Sequence, residues 1–173
     1  MFNKINKLDN KIIEYVEKKF YSEKMDFLMK IITFLGDYGL IWLSLILYLL
    51  LKNYNIQARA VICSLIITIF INELILKNCF KRARPAHINN YEHIIVNIPK
   101  SFSFPSGHTA TAFSVIPIIL LGCSAIVSTI CIVSAILIGF SRVYIKVHYM
   151  SDVIVGAVLG TSISIITFIN IVL

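Results

Sequence analysis

The stretch "SFSFPSGHTATAFSVIPIILLGCSAIVSTICIVSAILIGFS", Ser101 to Ser141, holds 41 residues without one Asp, Glu, Lys or Arg. As continuous helix it would be roughly 60 Å long, about two crossings of a 30 Å hydrocarbon core. The small residues near positions 121–124 divide it close to its middle. The stretch therefore predicts two membrane-spanning helices joined by a tight turn. It opens, however, on the polar cluster Pro105-Ser106-Gly107-His108, which needs a separate explanation.

The rest of the chain has the same apolar character. Of its 173 residues, 58% are hydrophobic, against roughly 45–50% in soluble domains. The mean hydropathy is +0.83. Two further uncharged runs, Ala60–Asn72 and Val153–Leu173, lie on either side of the opening stretch. Only helices and closed barrels satisfy the backbone in lipid, and these runs lack the alternation of barrel strands. The sequence predicts an all-α, polytopic transmembrane helical bundle.

The apolar runs predict how many times the chain crosses the membrane. We expect five full spans, near residues 38–53, 57–78, 106–121, 124–144 and 151–172. The first of them contains an apolar core of only about 21 Å as helix, so it must extend at one end. Its start follows a helix-ending signal at residues 36–39. A sixth span that uses residues 24–36 stays open.

The N-terminus differs in composition from the rest. We expect residues 1–24 to form an amphipathic interfacial segment and residues 25–173 to form the membrane domain. Asp9 is a candidate N-cap for a helix in this segment. The apolar face of that helix would carry Ile12, Ile13, Val16 and Phe20.

The predicted topology brings three polar clusters to one membrane face. The span 57–78 ends near Lys77, on the side where the next span begins at Ser106. The span 124–144 returns to that side and ends near Arg142, and the last span begins near His148. Clusters that are far apart in sequence should therefore meet.

The first cluster is "KNCFKRARP", Lys77 to Pro85. Lys77 and Arg84 are two helical turns apart and can point the same way. The proline disfavours the α conformation at Arg84, so the helix should end before it. Lys81 and Arg82 are interpreted as side chains that snorkel to the membrane surface, which is routine at the end of a span.

The second cluster is Pro105-Ser106-Gly107-His108. At a helix start, the Ser106 hydroxyl and the backbone N–H groups around Gly107 meet the positive end of the helix dipole, which suits a phosphate group. A capped helix start with an incidental His108 is the alternative.

The third cluster is "SRVYIKVHYMSD", Ser141 to Asp152. His148 and Asp152 are four residues apart and are neighbours on one helix face. A carboxylate on one imidazole nitrogen fixes the tautomer and leaves the other nitrogen nucleophilic. Arg142 adds a forked donor for phosphate. A plain ion pair at the membrane rim is the alternative.

Together the three clusters read Lys-x6-Arg-Pro, Pro-Ser-Gly-His and Ser-Arg-x5-His-x3-Asp, in that order. This pattern resembles the three signature motifs of the type 2 phosphatidic acid phosphatase (PAP2) family, whose superfamily also includes vanadium haloperoxidases. The resemblance covers roughly residues 25–172 and implies a core of the PAP2 and haloperoxidase type. The first 24 residues depart from six-span members, because they do not read as a span.

The resemblance also implies a mechanism. It makes His148 the nucleophile that forms a phosphohistidine, Asp152 its orienting carboxylate, and His108 the proton donor and later the base. It assigns the phosphoryl oxygens to five groups: Lys77, Arg84, Ser106, Gly107 and Arg142. No cofactor and no metal are expected on this scheme.

Glu73 lies four residues before Lys77 inside an apolar run, where acids are usually paired. We interpret it as a supporting residue that positions Lys77, with a water-bridged structural role as the alternative. His87 and His93 are interpreted as loop residues. The four cysteines lie in or beside the spans without a zinc-like spacing, and we interpret them as small core residues.

The function that follows is a metal-independent membrane lipid phosphatase. Its expected partners are a lipid phosphate or diphosphate and the membrane lipids, with no nucleic acid. The resemblance implies undecaprenyl diphosphate, phosphatidylglycerophosphate or phosphatidate as substrate, and we favour the polyprenyl diphosphate. A phosphotransferase and a non-catalytic transporter or scaffold are the alternatives. By the same resemblance the site faces outward in the plasma membrane, and Lys52 and Arg59 favour the opposite face as cytoplasmic.

Overall fold

The computed structural model describes residues 3–37, 39–89, 91 and 93–172. In this part of the chain the helices are α1 (Asn3–Phe20), α2 (Glu23–Asp37), α3 (Leu40–Leu51), α4 (Asn55–Ile69), α5 (Lys77–Phe80), α6 (Pro85–Ile88), α7 (Gly107–Phe113), α8 (Ile116–Gly122), α9 (Ala125–Tyr144) and α10 (Met150–Val172). A π-helical segment, Phe70–Leu76, joins α4 to α5. The predicted all-α fold class is confirmed.

The protein is a multi-pass membrane protein. By length and composition three helical stretches can cross a membrane singly, Asn55–Ile88, α9 and α10. They correspond to the predicted spans 57–78, 124–144 and 151–172. The helices α2 and α3 pass the same test only as a pair, bent by 55°, and Gly107–Gly122 is a shorter apolar stretch. The count of five full spans stays a prediction, and Tyr38, where the first was expected to start, lies outside the described residues.

A proline interrupts the helix expected at 106–121. Helix α7 ends at Phe113 and α8 begins at Ile116, with Pro117 in the first turn of α8. Pro117 has no N–H to donate to the carbonyl of Phe113, so one α-helix cannot run through this point. The signature cluster therefore opens a helix of only seven residues.

The short helix α7 lies at the centre of the bundle, in contact with α4, α9 and α10. Two glycines let α10 approach it at backbone distance. A Cβ at Gly156 would lie 2.6 Å from the carbonyl oxygen of Ser106, and one at Gly160 would lie 2.0 Å from that of Ala110. Neither space admits a side chain. This close packing holds the start of α10 beside the start of α7.

The outer surface carries the apolar side chains that a lipid environment requires. Large hydrophobic residues on the outer faces of the long helices are exposed, among them Leu47, Ile66, Leu74, Ile130, Ile136, Ile154, Val158 and Ile166. A surface of this kind is stable against hydrocarbon and unfavourable in water.

The N-terminal helix corrects one expectation. Helix α1 already begins at Asn3, so Asp9 lies inside the helix and is not its N-cap. Its carboxylate is buried and bonded to Arg82 and Ser151, which is incompatible with capping. Ile13 and Val16 do share an apolar face, and they are buried in the core, where α1 contacts α9 and α10. The interfacial location of residues 1–24 and the division at residue 25 stay predictions.

Candidate active site

The three polar clusters meet around one cavity of about 550 Å³. Each cluster contributes to its polar lining, and Glu73 adds a carboxylate from just before the first cluster. The cluster residues in the lining are Lys77, Arg84, Gly107, His108, Arg142 and His148. The convergence expected from the topology is therefore observed. Two predicted site residues, Ser106 and Asp152, are fully buried behind this lining.

The His148 ring is held in one tautomer by its two hydrogen bonds. Arg84 Nη1 lies 3.1 Å from His148 Nε2, and the carbonyl oxygen of Ser103 lies 2.7 Å from Nδ1. Since a guanidinium only donates, Nε2 must accept, and Nδ1–H must donate to Ser103. The lone pair of the ring therefore lies on Nε2, beside Arg84.

The loop that carries His148, between α9 and α10, is buried. Burial and the positive charges of Arg84 and Lys77 hold the pKa of His148 well below its ordinary value. The ring is therefore neutral at pH 7, which is the form that can act as a nucleophile.

Asp152 is a neighbour of His148 without sharing its proton. Its Oδ2 lies 3.6 Å from His148 Nδ1, beyond hydrogen-bond distance, because the Ser103 carbonyl occupies that position. Oδ2 accepts the Tyr149 N–H at 2.9 Å, and Oδ1 is bonded by Arg82. The bond from the Tyr149 N–H ties the residue just before α10 to the third residue of the helix, as the acidic side chain of a capping box does. The orienting role expected of Asp152 stays a prediction.

Arg84 is fixed by backbone oxygens on both sides. Its Nε donates to Ser101 O at 2.8 Å, Nη1 to Val147 O at 3.0 Å, and Nη2 to Phe102 O at 3.3 Å. The residue has extended backbone before Pro85, as the proline predicted. Its guanidinium is thus aimed at His148 by the chain itself and not by an acidic side chain.

Lys77 is paired with Glu73, as expected from their spacing. The Nζ–Oε1 distance is 2.7 Å and Lys77 is buried. Glu73 lies in the π-helical segment, a local irregularity that is frequent at functional sites. A Cβ at Gly107 would lie 2.6 Å from Glu73 Oε1, so a side chain at this position would displace the Glu73 carboxylate from its place beside α7. Asn72, which sequence reasoning missed, donates to Glu73 Oε1 at 3.1 Å.

Ser106 differs from its expected position. Its hydroxyl lies 2.9 Å from Thr109 Oγ1, and its N–H donates to the Asp152 carbonyl at 3.0 Å. The backbone N–H of Ser106 therefore joins the start of α7 to α10, and its side chain is bonded within α7 and does not line the cavity. Its expected contact with phosphate stays a prediction.

Arg142 and His108 face each other across the end of α2. A Cβ built on Gly36 would lie 3.6 Å from Arg142 Nη2 and 3.7 Å from His108 Cδ2. Arg142 also donates to the Thr33 carbonyl at 3.4 Å. The participation of α2 was not predictable from the motifs, since Gly36 and Thr33 belong to none of them.

Arg82 contradicts its interpretation as a snorkelling side chain. It is 3% exposed and forms ion pairs with Asp9 and Asp152. Helix α5 ends at Phe80, and Lys81 adopts a left-handed backbone with φ of 47°, which turns the next residue inward. Lys81 itself is exposed, in agreement with the prediction.

The remaining histidines lie away from the cavity lining. His93 is in the connection before α7 and pairs with Asp26 at 2.6 Å, whereas His87 lies in α6 and not in a loop. Among the described residues, no three His, Cys, Asp or Glu side chains come together in an arrangement that could hold a metal ion.

The cavity continues from its polar lining along an apolar wall that the motifs do not reveal. Trp42, Leu43 and Ile46 of α3 and Leu65 and Ile69 of α4 form this wall. Ile69 and Leu65 precede Lys77 by eight and twelve residues, about two and three helical turns along the same helical stretch. We call these five residues the apolar arm.

Known proteins share sequence and fold with this chain. The model of the PAP2 superfamily matches residues 57–172. The chain is 30% identical over 137 residues to an undecaprenyl-diphosphatase of Sulfolobus acidocaldarius, a match that covers 78% of this chain and 66% of that protein. It spans about two thirds or less of the length of the first curated relatives that it matches.

Two crystal structures are similar over most of their length. LpxE of Aquifex aeolicus superposes with a TM-score of 0.82 at 26% identity, over 92% of this chain and 94% of that one. A transmembrane PAP2-type phosphatidylglycerolphosphate phosphatase from Bacillus subtilis gives a TM-score of 0.77 at 26% identity, over 95% and 85%.

Proposed function

The chain belongs to the PAP2 superfamily, and from that premise we propose that it is a membrane lipid phosphatase that works through a phosphohistidine on His148. The observation that carries the proposal is the free-base Nε2 of His148, which lies 3.1 Å from Arg84 at the wall of a cavity rich in cations. The name of the undecaprenyl-diphosphatase relative supports the same class of reaction.

The charge of the cavity suits a phosphate group. Among the described residues of the lining, Lys77, Arg84 and Arg142 contribute three positive charges and Glu73 one negative charge, a surplus of two before the proton that His108 donates is counted. All three cations are buried, where their attraction for an anion is weakly screened. A phosphate dianion would neutralise the surplus.

In the first step the Nε2 lone pair attacks phosphorus and the bond from phosphorus to the lipid oxygen breaks. Arg84 transfers its hydrogen bond from Nε2 to a phosphoryl oxygen as the substrate binds, which frees the lone pair. His108 gives its proton to the departing lipid oxygen. The ring of His148 then carries a phosphoryl group on Nε2 and keeps its proton on Nδ1.

In the second step water attacks the phosphohistidine. His108, now neutral, takes a proton from that water, and the bond between phosphorus and nitrogen breaks. Inorganic phosphate leaves, and Nε2 regains its lone pair. The cations of the cavity stabilise the charge that develops in both steps, as preorganised donors do in other enzymes.

The apolar arm supports a lipid as substrate. It starts two helical turns from Lys77 and runs along α4, where a prenyl or acyl chain would lie when its headgroup reaches His148. We favour a polyprenyl diphosphate, with phosphatidylglycerophosphate and phosphatidate as the other substrates to compare. We also propose that the cavity opens on the extracytoplasmic face of the membrane.

The test is phosphate release by the purified protein from these three lipids, with and without EDTA. We expect release from at least one lipid, unchanged by the chelator, with no release by the matched His148→Ala variant. Transfer of the phosphoryl group to an added alcohol in place of water would indicate a phosphotransferase. No turnover of any lipid, or turnover that disappears with EDTA and returns with Mg²⁺, would contradict the proposal.

A further inference from the structure

Behind the His148 ring lies a buried ionic network that the motifs do not account for. Arg82 Nη2 bonds Asp9 Oδ2 at 2.7 Å and Asn6 Oδ1 at 2.5 Å, both on α1. Arg82 Nη1 bonds Asp152 Oδ1 and, at 2.7 Å, Ser151 Oγ, both on α10. One guanidinium thus joins the N-terminal helix to the carboxylate beside His148.

The network is withdrawn from both water and the cavity. Asp9 and Arg82 are each 3% exposed and Asp152 is fully buried. Arg82 lies 4.0 Å over the centre of the Tyr149 ring, which fixes the plane of the guanidinium. None of these charged groups lines the cavity, so they do not touch a bound substrate.

The charges of the network do not cancel. Among the residues that the structure describes, Arg82 contributes one positive charge to the network and Asp9 and Asp152 contribute two negative charges, which leaves one negative charge in excess. Asp152 lies 3.6 Å from His148 Nδ1. When Nε2 bonds to phosphorus, the ring becomes positive and still carries the Nδ1 proton. The excess charge therefore lies where positive charge develops, in a region of low dielectric.

Resting on the proposed function, we propose that Asp9 and Arg82 are positioning residues for the reaction at His148. Arg82 holds the Asp152 carboxylate next to Nδ1, and Asp9 supplies the second negative charge that keeps the network anionic. The N-terminal helix is then part of the machinery of phosphoryl transfer, although it contributes no side chain to the cavity.

A purely structural role of the network, docking α1 on the bundle, predicts different results. The same helix is docked at its other end by the pair between Glu17 and Lys146, which does not touch Asp152. Glu17→Gln is therefore a matched control for Asp9→Asn. Each variant removes one carboxylate charge of α1 from a pair with a buried cation, and only one of them changes the charge behind His148.

The experiment compares kcat, KM, thermal stability and the rate of phosphoenzyme formation in the two variants. We expect Asp9→Asn to lower kcat and phosphoenzyme formation by about 10- to 100-fold, by analogy with the loss of an outer partner of a metal-ligating histidine. KM and the competitive inhibition by inorganic phosphate should stay within about twofold, because the cations of the cavity are untouched. Asp9→Glu, which keeps the charge, should recover most of kcat.

Glu17→Gln should keep kcat within about twofold even if it lowers the melting temperature as much as Asp9→Asn. Equal losses of kcat in the two variants, or a loss in Asp9→Asn that appears in KM and phosphate inhibition, would overturn the inference. If Asp9→Asn does not fold, Arg82→Lys replaces it, since lysine keeps the charge but cannot bond two carboxylates in one plane. A wild-type protein that releases no phosphate would contradict the proposed function instead.

Discussion

The two sides of the His148 ring have opposite electrostatic character. On the cavity side, Nε2 meets Arg84, with Lys77 and Arg142 in the same lining. On the hidden side, Nδ1 meets the Ser103 carbonyl and then a network with an excess of negative charge. A neutral imidazole between a cationic and an anionic region is polarised toward the cavity. On the proposed mechanism, the cavity side would bind the charge of the substrate and the hidden side would stabilise the charge of the ring.

Two arginines show how closely these regions adjoin. Arg82 and Arg84 are separated by one residue and are equally buried, yet Arg84 serves the cavity side and Arg82 the hidden side. On regular extended backbone two residues at i and i+2 would point the same way, so the opposite directions come from their partners. Arg82 is held by Asp9 and Asp152, and Arg84 by Ser101 O and His148. A substitution at either position should therefore affect only its own side.

The most severe test removes the ring between the two regions. We expect His148→Ala to abolish turnover and to leave no phosphate on the protein, because the variant lacks the Nε2 lone pair that attacks phosphorus in the proposed mechanism. The measurement is labelling with a phosphate-labelled lipid, quenched in alkali, which preserves a bond between phosphorus and nitrogen. His87→Ala, on α6 and outside the cavity lining, is the control and should label normally. Label retained by His148→Ala would show that another group is the nucleophile.

The next effect separates proton transfer from covalent chemistry on the cavity side. We expect His108→Ala to lower kcat/KM for phosphatidate by about 10² to 10⁴, the usual contribution of a general acid. An aryl phosphate with an activated phenolate should lose far less in its first step, because that leaving group departs without a proton. The measurement is kcat/KM for both substrates in one preparation. An identical loss for the two leaving groups would refute the assigned role.

The next largest loss of kcat/KM is expected when one of the cations of the cavity is removed. Replacing Lys77, Arg84 or Arg142 by alanine should lower kcat/KM by about 10² to 10³, as the loss of a preorganised donor does elsewhere. Lys81→Ala is the control, because Lys81 is exposed and its basic charge lies outside the cavity lining. Its kcat/KM should remain within about twofold of the wild-type value. A loss at Lys81 as large as at Lys77 would mean that total charge, and not position, governs binding.

Local spacing and topology were sufficient to predict much of this arrangement. The pair of Glu73 and Lys77 follows from a separation of four residues on a helix, and the meeting of the three clusters follows from counting crossings. The break before Pro117 was also present in the sequence, since proline cannot continue an α-helix, but the apolar run concealed it.

What could not be predicted depends on backbone geometry outside regular helices. The acceptor for His148 Nδ1–H is the Ser103 backbone carbonyl in the connection before α7. Every residue type has a backbone carbonyl, so the sequence does not indicate which one will accept this bond. Arg82 turns inward because Lys81 is left-handed, an unusual conformation for lysine that its type does not indicate. Asp9 was interpreted as an N-cap from its local sequence alone. Its actual partner, Arg82, is 73 residues away in the chain, so no local pattern indicates that contact.

The smallest expected effect concerns the part of the cavity that is neither cationic nor anionic. Ile46 belongs to the apolar arm, and the adjacent Leu47 is 58% exposed on the outer face of α3. Ile46→Trp should fill the arm and lower kcat/KM for a long-chain lipid phosphate about tenfold, a change typical of a hydrophobic pocket that loses room for a few methylene groups. A short aryl phosphate should be turned over normally, because both sides of the His148 ring are unchanged. Leu47→Trp adds the same bulk one residue along the helix and should leave both substrates unaffected. Equal losses for long and short substrates in Ile46→Trp would mean that the substitution has disturbed the ring and its charges, and that the lipid chain lies elsewhere.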